Sequence, residues 1–263
     1  MTMRLGLVLA VFLVALGARA ERVQIPGPNG IMLQAELFRP EAPKPVPAIV
    51  ALHGCGGAFP ARDKQWREIL LAAGHVVVFP DSFASRGLKS QCQVPDRIAT
   101  ASGLRRLDAL AAAGWLAAQP GVRAGGVVLM GWSDGGSTVL AAGEAGPDVP
   151  AGLIRGLIAF YPGCGAAARK PGWQPAARLI ILIGEADDWT PAAPCHALAS
   201  KVGAALQLTT YPGAYHDFDA PVPVRVRQNI PSSRNADKTV HVGGDPVAAE
   251  DAMRQVAAFL AGS

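Results

Sequence analysis

Val127-Val128-Leu129-Met130-Gly131-Trp132-Ser133-Asp134-Gly135-Gly136 runs from a short apolar stretch into Gly-x-Ser-x-Gly and on into Ser137-Thr138-Val139-Leu140-Ala141-Ala142. The order reads as strand, sharp turn, helix. In that context Gly-x-Ser-x-Gly marks a nucleophile elbow, a strained turn that lifts its serine to the carboxyl end of a sheet beside a helix N-terminus. A side chain at either glycine position, two residues from Ser133, would collide with the neighbouring strand or helix. Ser133 is the candidate nucleophile. The bland alternative is a glycine-rich turn with an idle serine.

Outward from the elbow, apolar strands alternate with helical segments. Strands are predicted at 31–38 (an edge strand), 48–52, 75–79, 127–130, 153–160, 179–183 and 206–211. Helices are predicted at 63–73, closed by Gly74, at 96–118 with irregularity near Gly103 and Gly114, at 194–205 and at 248–260. The proline-rich run 40–47 reads as a surface connection. Continuous apolar strands separated by helices indicate an α/β fold, a mostly parallel central sheet with helices on both faces. A length of 263 residues suits one such domain, 21–263, better than two small ones. Segment 218–245 differs: it carries prolines, Arg225, Arg227, Arg234 and Lys238, with little periodicity. It reads either as a flap or rim over the site or as a solvated surface loop.

Half the residues are hydrophobic and 17% are charged, enough for a sizeable core. The net charge of +4 is mild, with no basic cluster interleaved with aromatics, so nucleic acid is not an expected partner. Arg4, the apolar run 5–17 and Ala18-Arg19-Ala20 have the form of an export signal at 1–20. That run is short for a membrane span, so periplasmic or secreted localisation without stable membrane association is expected. Export changes how Cys55, Cys92, Cys164 and Cys195 read. An even number in an oxidising compartment suggests two disulfides. Of three connectivities, Cys55–Cys92 and Cys164–Cys195 are favoured, because each joins loops leaving nearby strands at one end of the sheet. A metal site built on Cys164, Cys195 and His196 is the competing idea, and no ligand spacing supports it.

A serine hydroxyl needs a base to take its proton, and the base needs an acid to fix its tautomer. On this fold the order along the chain is Ser, then Asp or Glu, then His. After the strand at 179–183 comes Gly184-Glu185-Ala186-Asp187-Asp188-Trp189-Thr190-Pro191. Asp187 is the preferred acid, with Asp188 and Glu185 as competitors. After the strand at 206–211 comes Pro212-Gly213-Ala214-Tyr215-His216-Asp217-Phe218, which makes His216 the candidate base. The oxyanion donors expected are the N–H of Asp134, after the nucleophile, and that of Cys55 in His53-Gly54-Cys55-Gly56-Gly57. Trp132, Trp189 and Tyr215 flank these positions and are candidates for a substrate pocket, with buried packing as the alternative. Arg86 and the arginines after His216 are candidates for a carboxylate site or for solvated charge.

The runs around Cys55, Ser133, Asp187 and His216 together resemble the dienelactone hydrolase family of α/β-hydrolases, over roughly 23–260. The resemblance implies an α/β-hydrolase fold and hydrolysis of a small-molecule ester or lactone with no metal or organic cofactor. It also implies triad roles for Ser133, Asp187 and His216. Type members of the family use a cysteine nucleophile and are cytosolic. Serine here, together with the export signal and four cysteines, makes a general carboxylic-ester hydrolase the expectation. Two rivals are a peptidase or other acyl-transfer enzyme, and a non-catalytic binding protein on the same fold. Peptidases of this fold usually carry a large gating domain, for which the length leaves no room. Idle relatives usually lose a triad member, and here the order Ser, Asp, His is intact.

Overall fold

A computed structural model describes residues 20–262, so the expected export signal lies outside the described residues apart from Ala20. In chain order the elements are β1 (Glu21–Pro26), β2 (Met32–Phe38), β3 (Ala48–Leu52), α1 (Pro60–Ala72), β4 (Val76–Asp81) and α2 (Leu104–Ala117). Next come β5 (Val127–Trp132), α3 (Asp134–Ala142), β6 (Ile154–Phe160), α4 (Gly165–Arg169), β7 (Leu179–Gly184) and α5 (Ala193–Val202). The chain ends with β8 (Leu206–Tyr211), β9 (Arg225–Arg227), β10 (Val240–Val242) and α6 (Pro246–Ala261).

Eight strands form one sheet in the order β1-β2-β4-β3-β5-β6-β7-β8. From β4 to β8 all pairs are parallel, and only β1–β2 and β2–β4 are antiparallel. Every residue of β3, β5 and β7 is buried, as a sheet covered on both faces requires. The two covering layers can be read from β6, where neighbouring side chains point to opposite faces. A Cβ on Gly156 would meet Phe259 of α6 at 3.1 Å, and the Phe160 ring on that same face packs 5.1 Å from Trp66 of α1. Leu157, on the other face, lies against Gly143 at the end of α3. So α1 and α6 cover one face and α3 the other.

Local signals explain the element ends. Pro60 opens α1, and the Asp63 carboxylate accepts the Phe59 N–H at 2.6 Å. Asp245 caps α6 by accepting from Val247 and Ala248 at 3.0 and 3.1 Å. Two expectations change. The strand at 31–38 is not the edge, because β1 pairs with it (Ile25 opposite Leu33) and takes that place. The helix expected from 96 starts at Leu104, where Gly103 holds a non-helical φ of −102° and ψ of −117°. Among the described residues no helix is long and apolar enough to cross a membrane.

Candidate active site

The elbow joins β5 to α3. Ser133 sits there at φ 57° and ψ −118°, a region that costs a residue with a Cβ on the order of 1–3 kcal/mol. The flanking glycines make the turn sterically possible. A Cβ on Gly131 would run into the carbonyl of Gly135, and one on Gly135 into the carbonyl of Leu52 on β3.

Ser133, His216 and Asp187 converge from the ends of β5, β8 and β7. Ser133 Oγ is 2.8 Å from His216 Nε2, and His216 Nδ1 is 2.7 Å from Asp187 Oδ2. A carboxylate only accepts, so Nδ1 carries the hydrogen and Nε2 is left to accept from the serine. All three are buried; Ser133, the most open, is 8% exposed. Asp187 Oδ1 accepts the N–H groups of Trp189 and Thr190 at 2.9 and 2.8 Å, and the Thr190 hydroxyl lies 2.9 Å from Oδ2. Burial pulls the His216 pKa down, but the charge and hydrogen bond of Asp187 outweigh it and leave it raised.

The competing carboxylates are engaged elsewhere. Asp188 accepts from His241 N–H and Nδ1 at 2.9 and 2.8 Å and from Asn235 at 3.1 Å. Those bonds from His241 and Asn235 hold its pKa low against the opposing pull of burial. Glu185 pairs with His196 at 2.8 Å.

The loop after β3 lies against the elbow: a Cβ on Gly54 would sit 3.5 Å from that of Ser133. Among the described residues none accepts the backbone N–H of Cys55 or Asp134. Cys55 is bonded to Cys92, and Cys164 to Cys195. Closing the 37-residue span between Cys55 and Cys92 stabilises by about 4 kcal/mol in the chain-entropy account. The second disulfide removes two of the three residues of the alternative metal site.

Several residues that matter to the geometry were not singled out from sequence. Asp219, three residues past His216, is buried and accepts from Trp66 Nε1, Trp132 Nε1 and Tyr161 Oη at 2.6, 2.9 and 2.6 Å. It ties the histidine loop to α1 and to the ends of β5 and β6. The one local sign was a carboxylate set between Phe218 and Ala220. Arg62, also buried, lies 4.5 Å from the Trp132 ring centroid, 2.9 Å from Asp63 and 3.8 Å from Asp217. Buried Arg105 donates to the Asp134 carboxylate and to the His53 carbonyl, and Arg97 reaches Asp134 at 3.0 Å.

A cleft of about 300 Å³ opens over Ser133 and His216, bounded by the loop 54–57, Trp189, Arg62, Arg225 and Arg227. Two larger hollows, about 710 and 830 Å³, are not lined by Ser133 or His216, so the smaller one is the candidate site. Of the four expected pocket residues only Trp189 lines this cleft. Trp132 is in the core, its indole engaged by Asp219. Tyr215 stacks on His241 at 4.8 Å. Arg86 forms a two-pronged pair with buried Asp108 at 2.8 and 2.7 Å, which leaves its charge neutralised. Segment 218–245 contributes Arg225 and Arg227 to the rim of the cleft and is not a solvated loop throughout. β9 and β10 pair antiparallel, Val240 and Val242 of β10 with Ile230 of the connecting loop cluster with Trp189 and the Cys55–Cys92 pair, and the Gly243 N–H donates to the His216 carbonyl at 2.8 Å.

Comparison with known proteins agrees with this architecture. The family model described as "Dienelactone hydrolase family" matches residues 33–262. Among solved structures, a putative dienelactone hydrolase from Klebsiella pneumoniae subsp. pneumoniae superposes with a TM-score of 0.65 at 19% identity, covering 92% of this chain and 98% of that one. A dienelactone hydrolase-like promiscuous phosphotriesterase from metagenomic libraries gives 0.64 at 18% identity, with 93% and 98% covered. An esterase from Pyrobaculum calidifontis gives 0.59 at 20% identity, with 91% and 84% covered. At such identities the likeness speaks for the fold. No match was found among curated protein sequences.

Proposed function

The chain belongs to the dienelactone hydrolase family, and from that premise we propose that it is a serine hydrolase cleaving carboxylic esters or lactones through an acyl-enzyme. The observation that carries the reading is the unbroken run from Ser133 Oγ to His216 to Asp187, beside two amides that no described residue engages. His216 Nε2 takes the serine proton as Oγ attacks the carbonyl carbon. Negative charge collects on the carbonyl oxygen and is met by the N–H groups of Cys55 and Asp134, at the positive end of the α3 dipole. His216 then protonates the leaving alkoxide. Water repeats the cycle to free the acid. Asp187 holds the imidazole in the tautomer that both half-reactions need.

No step draws on a metal or organic cofactor, and the partner is a small-molecule ester or lactone. Two disulfides support the export expected of residues 1–20, to the periplasm or beyond. The test is intact-mass spectrometry after exposure to a fluorophosphonate. One adduct is expected on the wild type and none on Ser133→Ala, whose kcat for a p-nitrophenyl ester should fall by about four to six orders of magnitude. A well-folded wild type that takes no adduct would favour a non-catalytic binding protein.

A further inference from the structure

We infer that Arg105 is a positioning residue that locks together the two arms of the oxyanion site; this rests on the hydrolase reading above. Arg105 is the second residue of α2, and its side chain is 1% exposed. One guanidinium nitrogen donates to the Asp134 carboxylate, and another donates to the carbonyl oxygen of His53. Its guanidinium carbon lies 5.0 Å from the centroid of the Phe83 ring. Asp134 carries one of the two amides set for the oxyanion. His53 stands two residues before Cys55, which carries the other. The two arms come from different strands, and one rigid planar fork ties them to each other.

The other bonds around His53 leave this task to Arg105. His53 Nδ1 is 2.8 Å from the Gly54 carbonyl, so it carries the hydrogen, and Nε2 accepts the Ser82 N–H at 3.2 Å. With Nδ1 a donor, the Arg105 nitrogen 3.4 Å away cannot donate to it, and the His53 carbonyl is the true acceptor. The imidazole thus fixes the loop toward β4, and Arg105 fixes it toward the elbow.

Charge gives a second reason. Asp134 places a carboxylate on the very residue whose amide must face a developing anion. Uncompensated, that carboxylate would oppose the oxyanion forming at its own amide. Arg105 and Arg97, at 3.0 Å, supply the opposing charge. Burying a guanidinium is costly unless it is paired and fully bonded. Arg105 nonetheless leaves its Nε without a partner among the described residues. A residue selected only to fill the core would not be a cation with an orphaned donor.

The experiment compares wild type, Arg105→Lys and Arg105→Gln. It measures kcat and KM on a p-nitrophenyl ester, inhibition by a trifluoromethyl ketone that forms a tetrahedral adduct, and inhibition by an unreactive ether analogue. Arg105→Gln is expected to lower kcat about 10- to 100-fold, below the full loss of one oxyanion donor, with KM within about threefold. Ketone affinity should fall in parallel with kcat/KM, and ether affinity should hold. Arg105→Lys keeps the charge but not the fork, so an intermediate loss with the same pattern is expected, and it serves if the glutamine variant does not fold. Adding Asp134→Asn to Arg105→Gln should recover part of kcat by removing a carboxylate that Arg97 alone then offsets. The inference is overturned if folded Arg105 variants keep kcat within twofold of wild type, or if ketone and ether affinities fall alike. A wild type that no fluorophosphonate labels overturns the hydrolase reading and this inference with it. A labelled wild type with unaffected Arg105 variants overturns this inference alone.

Discussion

His216 is the residue on which pH should act most directly. Its pKa is raised, because the Asp187 carboxylate beside it outweighs burial. The imidazolium therefore survives to higher pH than that of a free histidine, near 6.5. An imidazolium cannot accept the Ser133 proton, so kcat/KM is expected to fall as pH drops through a midpoint above about 6.5. Asp187→Asn removes the charge that lifts the midpoint and unsettles the tautomer. It should move the acid limb lower and cut kcat by about 10⁴. Profiles of kcat/KM from pH 5 to 9 decide the matter, and a wild-type limb well below 6.5 would refute this account. At this scale the sequence was legible where order along the chain brings side chains together, at Ser133 and His216, which the fold sets 2.8 Å apart. After β7 it preferred Asp187 but kept Asp188 and Glu185 as competitors, because which carboxylate points inward depends on the turn made there. Arg86 illustrates the opposite limit. Nothing local distinguishes an arginine free to bind substrate from one neutralised by Asp108, 22 positions on.

Among the elements, β9 carries the feature that most bears on substrate choice. It alternates with period two: Arg225 and Arg227 line the cleft, while Val226 between them is 52% exposed on the outer side. Arg227 lies 5.0 Å from the centroid of Trp189, and burial lowers its pKa. A partly desolvated cation gains more from an anionic partner than a fully solvated one does. The Arg225→Gln/Arg227→Gln double variant is expected to lower kcat/KM for a carboxylate-bearing ester about 10-fold. A neutral ester of the same size should change less than twofold, and raising salt should shrink the wild-type preference. Equal losses on both esters would show that β9 acts through shape. The segment that holds β9 showed little periodicity because β9 and β10 span three residues each, too few for an alternation to register. Their pairing, Val226 opposite His241, is fixed by contacts far apart in sequence. The long parallel strands were legible for the opposite reason, since burial on both faces writes unbroken apolar runs.

For the molecule as a whole, fold class follows from those runs, but the order of strands does not. The antiparallel excursion of β1 and β2 beyond β4 is a matter of which edges meet, and no single segment encodes it. Nor does the sequence show that a histidine of the oxyanion loop is sealed in place. Burial first, then the charge of Arg105, lowers the pKa of His53 from 6.5 to about 4. In the unfolded chain the same side chain binds a proton near 6.5. Between those values the unfolded state holds a proton that the folded state does not, so stability drops as pH falls from 6.5 toward 4. At 1.36 kcal/mol per unit the loss approaches about 3 kcal/mol, a large part of the 5–15 kcal/mol typical of a folded domain. His75, lowered mainly by burial, adds in the same direction. His216 works the other way: its raised pKa contributes stability below about 6.5 that fades as pH rises through the folded value. Subtracting a variant isolates the His53 part. Urea unfolding of wild type and His53→Gln at pH 7 and pH 4.5 should show wild type losing roughly 2–3 kcal/mol more than the variant. Equal losses would mean that His53 protonates freely in the fold. That is hard to reconcile with an Nε2 that must accept the Ser82 N–H while a guanidinium stands 3.4 Å from Nδ1. Activity, which His216 governs, is therefore expected to fall at higher pH than the stability that His53 contributes.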